Sequence, residues 1–509
     1  MGFANKKYGL ALLAGLSCVF GFEPFGIFPI PLLALAILFT FWQRADTPRM
    51  AAWLGFAFGL GLFSAGIGGI YIAMHVYGDM PLLLALLATL LFAAFWALIP
   101  ALAGYIQARI PVANGPKIML VMPAVWALLE WFRGLLVTGF PWLVLGYSHS
   151  DTPLAGYAPV FGVYGVSFVM ATSSGLLALL YAKVCRRHTL ISSAGKEKGE
   201  RWVHVLSVLL LLWIVGALLH TVAWTQRSGE PFSVALVQGN IAQNLKFKEE
   251  SLVGTLETYR RLILQNEARL TVLPETALPL LRQEIPPTMV EQLRNHARRN
   301  GGDVLIGTFE REQGSYYNGV FTLGAAEEQY YRKQHLVPFG EFIPLRPLLG
   351  WLINGVLNIP MGDLGRGKVE QAPLDIAGQR VAVNICYEDV FGEEIIRALP
   401  RATLLVNVTN DAWYGNSPIA AQHNQMAQLR AMESGRMMLR ATNTGVTSII
   451  GADGKILQQL PQHVEAVLLG TAQGYEGSTP YVRWGNSAIL LLIALVLAGV
   501  WSWGKRGTD

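Results

Sequence analysis

The sequence predicts an α-helical transmembrane bundle of about eight spans joined to a layered α/β domain. Three observations lead there. Hydrophobic residues make up 52% of the 509 and charged residues only 14%, against about 25% charged in soluble domains. Apolar stretches of bilayer length, about 20 residues, crowd the first 225 positions and recur once near the C-terminus. Between them, short β-rich runs alternate with amphipathic helical patterns, the arrangement of a layered α/β domain with large mixed sheets.

The apolar spans read as 8–22, 25–42, 51–74, 82–108, 118–137, 158–183, 203–224 and 486–503. Lys6-Lys7 before the first run also suits a signal peptide, but no small-residue cleavage site stands out, so the segment is read as retained. Basic residues then orient the chain. Lys6 and Lys7, Arg44 and Arg49, Arg109 and Lys117, the cluster from Lys183 to Arg201, and Lys505 with Arg506 all fall on one side only if there are eight spans. Both termini are then cytoplasmic and the polar stretch lies outside. The division is 1–225 for the first seven spans, 226–484 for the outer domain and 485–509 for the last span and tail.

Within the spans, Gly59-Leu-Gly61 and Gly66-Ile-Gly-Gly69 read as close helix packing. Glu130 and Arg133, near the end of the fifth span, are ionisable groups at a depth where such groups often carry function; an interfacial, hydrated position is equally open. The loop Gly139–Ser150 mixes aromatics with turn residues. It reads either as an interfacial Trp/Tyr belt or as a lipid-facing rim beneath the outer domain.

The net charge of +5 is small for this length and its basic residues lie mostly beside apolar spans, which argues against a nucleic-acid partner. Of the three cysteines, Cys18 and Cys185 fall in or beside spans, leaving Cys386 without a disulfide partner in the polar domain. No Cys/His spacing suits a metal and no nucleotide motif is present, so no cofactor is expected.

The outer domain opens with a strand over 232–239 and a helix over 249–268, then a strand at 270–273 ending in Pro274-Glu275. A helix at 287–299 precedes a strand at 303–308. Further strands fall near 316–323, 328–333, 379–386, 402–408, 438–442, 446–451 and 464–470, with helices near 391–398 and 418–436.

Three chemically useful residues share one placement, the end of an apolar β run. They are Glu275, Lys333 and Cys386. Strand ends of parallel type converge on one edge, where sites are built. A thiol needs a base to become the nucleophilic thiolate, a desolvated carboxylate can be that base, and an ammonium can lower the thiol's proton affinity and stabilise an oxyanion. Each residue alone also has an ordinary reading: a helix cap, a solvated strand end and a buried small hydrophobe.

The surrounding residues choose between these readings. Leu273-Pro-Glu-Thr-Ala277, Tyr331-Arg-Lys-Gln-His-Leu-Val-Pro-Phe-Gly-Glu341 and Ile385-Cys-Tyr-Glu-Asp389 resemble the three signature segments of the nitrilase (carbon–nitrogen hydrolase) superfamily. With the apolar spans, with Lys333–Pro344 and Asn410–Gly415, and with Val237-Gln-Gly-Asn240 and Thr442-Asn-Thr-Gly445, the chain is similar to the membrane branch of that superfamily, the apolipoprotein N-acyltransferases. The resemblance implies a nitrilase-like α-β-β-α sandwich on the helical bundle. It implies Glu275 as general base, Lys333 as oxyanion stabiliser and Cys386 as nucleophile, supported by Glu341, Tyr387 and Glu388, with the Tyr387 main-chain N–H as an oxyanion donor. Phe247 stands near a position where the family often has tryptophan, which keeps a lipid-contact surface and loses the indole N–H.

The implied reaction is ping-pong transfer of an acyl chain from a membrane phospholipid, expected to be the sn-1 chain of phosphatidylethanolamine, through a thioester to the N-terminal amine of a diacylglyceryl-cysteine apolipoprotein. The implied location is the bacterial inner membrane with the catalytic domain in the periplasm. The apolar segment 345–361 reads either as a buried loop or short core helix, or as a lid admitting acyl chains, with Trp351 and Leu352 on lipid and glycines as hinges. A membrane-anchored amide or nitrile hydrolase and a transporter with an accessory domain are the competing readings. The near-absence of charge within the spans argues against the second.

Overall fold

The structure, a computed structural model, describes residues 2–189, 197–343 and 364–506. Its contacts form two units. The first takes in Met1–Gly68, Leu86–Val222 and Trp484–Asp509; the second takes in Gly69–Ala85 and Ala223–Arg483.

The first unit is helical. Its helices include Gly2–Ser17, Pro29–Gln43, Pro48–Gly66, Met122–Arg133, Ala158–Thr189, Glu197–His220 and Ser487–Arg506. Among the described residues, four helical stretches are long and apolar enough to cross a membrane: Leu82–Arg109, Asn114–Arg133, Pro153–Ala182 and Trp202–His220. A fifth follows if the broken pair Pro48–Gly66 and Ile70–Tyr77 is counted as one, and Pro29–Gln43 and Ser487–Trp503 are apolar but shorter.

Glycines set the helix spacing. A Cβ on Gly61 would lie 2.2 Å from the Leu12 carbonyl oxygen, and one on Gly15 only 1.9 Å from that of Phe58. Backbones approach this closely only where no side chain intervenes. Two expected spans end early. The one predicted over 51–74 stops at Gly66, where Gly66, Gly68 and Gly69 withdraw helix propensity at three of four positions. The one predicted to 137 stops at Arg133, because Val137 and Thr138 take left-handed φ values of 52° and 73°.

Glu130 and Arg133 hold the loop that follows. Glu130 Oε1 accepts from the Leu145 N–H at 2.9 Å and Oε2 from the Ser167 hydroxyl. Arg133 donates to the Phe140 and Trp142 carbonyl oxygens, each at 2.5 Å. These bonds give the two residues a structural use inside the fold.

The second unit contains two six-stranded sheets. The first has β1 (Thr225–Gln238), β2 (Leu270–Val272), β3 (Asp303–Glu312), β4 (Ser315–Gly324), β5 (Tyr330–Arg332) and β12 (Ala466–Gly477), in the order β12-β1-β2-β3-β4-β5. The second has β6 (Leu374–Ile376), β7 (Gln379–Ile385), β8 (Leu404–Thr409), β9 (Met438–Thr442), β10 (Ser448–Ile450) and β11 (Ile456–Gln459), in the order β11-β10-β9-β8-β7-β6. Strand alternation explains the layers. Val234 and Leu236 of β1 join Val381, Val383 and Ile385 of β7 in the core between the sheets. The opposite face carries Val237 under Tyr259, Ile263 and Leu293 of the helices Glu249–Leu264 and Pro287–Arg299. Ala382 and Leu405 likewise pack under Ala427 and Ala431 of the helix Ile419–Ser434. The unit is therefore an α-β-β-α sandwich.

Strand direction decides where the site forms. β1, β2 and β3 are parallel, and two successive antiparallel pairings, β3 with β4 and β4 with β5, bring β5 back to the same direction. β7, β8 and β9 are parallel in the other sheet. The C-terminal ends of β2 and β5 thus share one edge, as do those of β7, β8 and β9. Two short strands were not predicted: β6, and β11 after the β10 hairpin. β6 escapes because its turn to β7 is Ala377-Gly378 with φ values of 52° and 75°, a left-handed pair in which alanine is unusual.

Candidate active site

Glu275 sits on the turn that follows β2. Gly307 of β3 passes so near that a Cβ there would lie 2.2 Å from the Pro274 carbonyl oxygen, and Thr276 takes a left-handed φ of 45°. The turn is held in one shape. Glu275 Oε1 accepts from Asn318 Nδ2 at 2.7 Å and from Lys333 Nζ at 3.2 Å. Its Oε2 accepts from the Asn410 main-chain N–H at 3.0 Å.

Lys333 follows β5 directly, its N–H bonded to the Asn318 carbonyl oxygen at 2.8 Å. Its ammonium is 1% exposed and bridges Glu275 and Glu341, with 2.9 Å to Glu341 Oε1. Glu341 Oε1 also accepts from Asn318 Nδ2 at 3.2 Å, and Oε2 from the Val337 N–H at 2.8 Å. Burial disfavours the Lys333 charge, but Glu275, Glu341 and the Cys386 thiol outweigh it and hold the ammonium well above its ordinary range. One cation between two carboxylates stays protonated, which suits an oxyanion stabiliser.

Cys386 is the first residue after β7 and is only partly buried. Its φ of 53° turns the chain sharply out of the strand; a strained backbone at a site-bearing residue needs surroundings that enforce it. The Asn407 amide supplies one such hold, donating to the Cys386 carbonyl oxygen at 3.2 Å. Burial first, then the Glu275 charge, pushes the Cys386 thiol above its ordinary range, while Lys333 pulls it back. The resting thiol is protonated, and Glu275 and Lys333 are charges of opposite sign acting on it.

Glu388 accepts hydrogen bonds on both of its oxygens. Its Oε1 accepts from the N–H groups of Gln334 and His335 at 2.6 and 3.0 Å. Its Oε2 accepts from the Ile385 N–H at 2.6 Å and the Tyr331 hydroxyl at 3.0 Å. It ties the segment after Lys333 to the strand that presents Cys386. Burial pushes its carboxyl up to about 7, with those three main-chain N–H groups pulling the other way. The Tyr387 ring lies edge-on to His335 and Phe391, with centroids 5.8 and 5.2 Å apart.

Behind the turn lies a closed ring of charge. His423 faces Asp389 at 2.6 Å and Asp411 at 3.0 Å, and Arg440 reaches the same two carboxylates at 2.6 and 3.3 Å. Burial and Arg440 oppose the His423 charge, but the two aspartates prevail and raise its proton affinity.

Phe247 is 46% exposed and tilts against Phe309 with centroids 6.4 Å apart, an apolar surface beside the loop that reaches the site. Trp351 and Leu352 lie outside the described residues. The segment Gly69–Ala85 belongs to the same unit: Tyr77 meets Trp413 edge-on at 6.0 Å, and a Cβ on Gly69 would fall 2.7 Å from the Ser417 side chain.

Sequence reasoning missed the amide scaffold and one cation. Asn410, at the end of β8, also donates through Nδ2 to Gln243 and accepts from Asn443. Asn443 in turn receives the Ile241 N–H. These asparagines stood inside segments singled out for resemblance, but a hydrogen-bond role cannot be read without the strand order. Lys246 donates to the Glu275 carbonyl oxygen at 3.0 Å; in the sequence it looks like part of a solvated charged stretch.

Two family models match the chain: the apolipoprotein N-acyltransferase N-terminal domain over residues 14–176 and the carbon-nitrogen hydrolase domain over 233–481. An apolipoprotein N-acyltransferase of Nitrosomonas europaea is 48% identical over 96% of this chain and 95% of its own length. One of Ralstonia nicotianae is 43% identical over 96% and 92%. Among solved structures, a carbon-nitrogen hydrolase superfamily protein of Xanthomonas campestris covers 52% of this chain and 97% of its own, at 18% identity and a TM-score of 0.34.

Proposed function

This chain belongs to the apolipoprotein N-acyltransferase family, and from that footing we propose that it carries an acyl chain from a phospholipid, through a thioester on Cys386, to the free α-amino group of a diacylglyceryl-cysteine apolipoprotein. The chain is an acyltransferase with a nitrilase-type domain and several apolar helices. The observation that carries the reading is the cluster of buried Glu275 and Lys333 with partly buried Glu341, two of whose members act on the Cys386 thiol.

In the first half-reaction Glu275 takes the thiol proton as sulfur attacks the ester carbonyl. The oxyanion forms against the Lys333 ammonium and the Tyr387 main-chain N–H. The C–O bond then breaks, Glu275 returns its proton to the departing alkoxide, and a lysophospholipid leaves. In the second, the acceptor amine attacks the thioester, Glu275 removes the amine proton, and it passes that proton to the sulfur as the C–S bond breaks, restoring the thiol. Glu341 keeps Lys333 charged and placed, and Glu388 holds the turn. Phe247, with Trp351 and Leu352, meets acyl chains.

Both substrates are lipid-anchored, and holding them and the enzyme in one membrane plane raises their effective concentration. The eight apolar segments cross the bacterial inner membrane, with both termini in the cytoplasm and the catalytic domain in the periplasm; the basic residues at alternate loops support that placement. Phosphatidylethanolamine is the proposed donor, through its sn-1 chain.

The test uses purified full-length protein, phosphatidylethanolamine with an alkyne-tagged sn-1 chain, and a diacylglyceryl-cysteine peptide. Tagged peptide amide and lysophospholipid in equal amounts are expected. Free tagged fatty acid without acylated peptide would instead mark a hydrolase.

A further inference from the structure

Lys246 turns inward between two exposed neighbours. Leu245 and Phe247 on either side are exposed, whereas Lys246 is 1% exposed. A buried ammonium is costly unless something specific holds it. Here its hydrogen bond goes to the main-chain oxygen of Glu275, 3.0 Å away; among the described residues no ion pair holds it. The loop bearing it is fixed to the same place a second time, because Gln243 accepts from Asn410 Nδ2 while the Asn410 N–H binds Glu275 Oε2.

The charges explain the need. Glu275 and Glu341 set two negative charges against one ammonium, Lys333. Lys246 makes the group neutral. Moving the thiol proton to Glu275 keeps that balance, with Lys333 and Lys246 set against Glu341 and the thiolate; without Lys246 the thiolate would form in a site that already carries a net negative charge.

We propose that Lys246 is a positioning residue for acylation, holding the Glu275 turn through its carbonyl oxygen and supplying the second positive charge that lets Cys386 ionise. This rests on the catalytic reading above. Burial pushes the Lys246 ammonium down to about 8, with Glu275 and Cys386 opposing the shift. The charged groups facing this region are Glu275 from the turn after β2, Lys333 and Glu341 from the segment after β5, and Cys386 after β7. Asp411 and Tyr414 act on the same thiol.

The test measures the rate at which iodoacetamide alkylates Cys386 at about pH 7, where Lys246 is mostly charged, read on the Cys386 peptide, in full-length Lys246→Arg, Lys246→Gln and Lys246→Met. Thioester formation with phosphatidylethanolamine is timed in the same preparations. Lys246→Arg is expected to keep the wild-type alkylation rate. The two neutral variants are expected to be alkylated, and to form the thioester, about tenfold more slowly at that pH. Lys246→Gln keeps a donor for the Glu275 carbonyl, so it carries the test if Lys246→Met does not fold. Neutral variants alkylated at the wild-type rate would overturn the proposal, even if they melt at lower temperature. Should wild type form no thioester, the catalytic reading fails, while the alkylation rates still decide the role of Lys246.

Discussion

The main-chain N–H of Ile385 lies 2.6 Å from Oε2 of Glu388, three residues further along. With the Gln334 and His335 N–H groups on its other oxygen, that carboxylate fastens the end of β7 to the segment that carries Lys333. It needs to be an acceptor on both oxygens. Glu388→Gln turns one acceptor into a donor facing an N–H, and thioester formation is expected to fall by about a hundredfold or more, in keeping with the cost of a buried unsatisfied group. Cys386 should remain available to alkylation.

A pH effect follows from the same residue. Its carboxyl is raised from 4.5 to about 7, so its neutral form favours folding below the lower value and that contribution is lost as pH rises through the upper one. Activity needs the ionised acceptor and should rise over the same interval. Acylation rate measured between pH 5.5 and 8 should therefore climb through about 7 in wild type and stay low and flat in Glu388→Gln.

His423 offers a test of stability alone. Its proton affinity is raised, chiefly by Asp389 and Asp411 acting against burial and Arg440. The resulting stabilisation is fully present below the ordinary imidazole range and is lost as pH rises through the folded-state value. Thermal melting of wild type should thus decline as pH is raised above about 6.5, and His423→Gln should flatten that slope. Arg440→Met, which leaves two buried carboxylates sharing His423 alone, is expected to cost about 3 kcal/mol.

Gly307 tests whether the shape of the Glu275 turn matters. A methyl group there would press on the Pro274 carbonyl oxygen. Gly307→Ala should cost about 1–3 kcal/mol of stability and slow acylation about tenfold or more, since small misplacements of a reacting group are expensive. A variant that loses stability at full activity would contradict this.

Glu275, Lys333 and Cys386 were legible because each ends a β run within a specific local motif, and the strand directions then bring those ends together. Asn318, Asn410 and Lys246 were not, because their roles depend on partners 43, 135 and 29 residues away. The helix Ile419–Ser434 shows the limit of periodicity. Every one of its residues is buried, and polar members such as Arg430 and Glu433 pair at 2.7 Å. Its sequence therefore shows no single apolar face. In the membrane unit the approximate positions of the apolar segments could be read, but the break at Gly66–Gly69 could not, since glycine serves both close packing and helix termination.

Phe247 gives the lipid-facing prediction. It is nearly half exposed beside a buried lysine, so Phe247→Asp should slow transfer from vesicle phospholipid about tenfold or more by removing apolar contact while leaving Cys386 alkylation unchanged. Equal loss of alkylation would mean that the loop itself had collapsed.

The most direct measurement is the intact mass of the full-length protein after incubation with phosphatidylethanolamine, beside Cys386→Ala. The expected result is a gain of one acyl chain, released by hydroxylamine, absent in the variant, and discharged onto a diacylglyceryl-cysteine peptide. Wild-type protein that acylates the peptide without passing through that adduct, or an adduct that persists in Cys386→Ala, would contradict a thioester at Cys386.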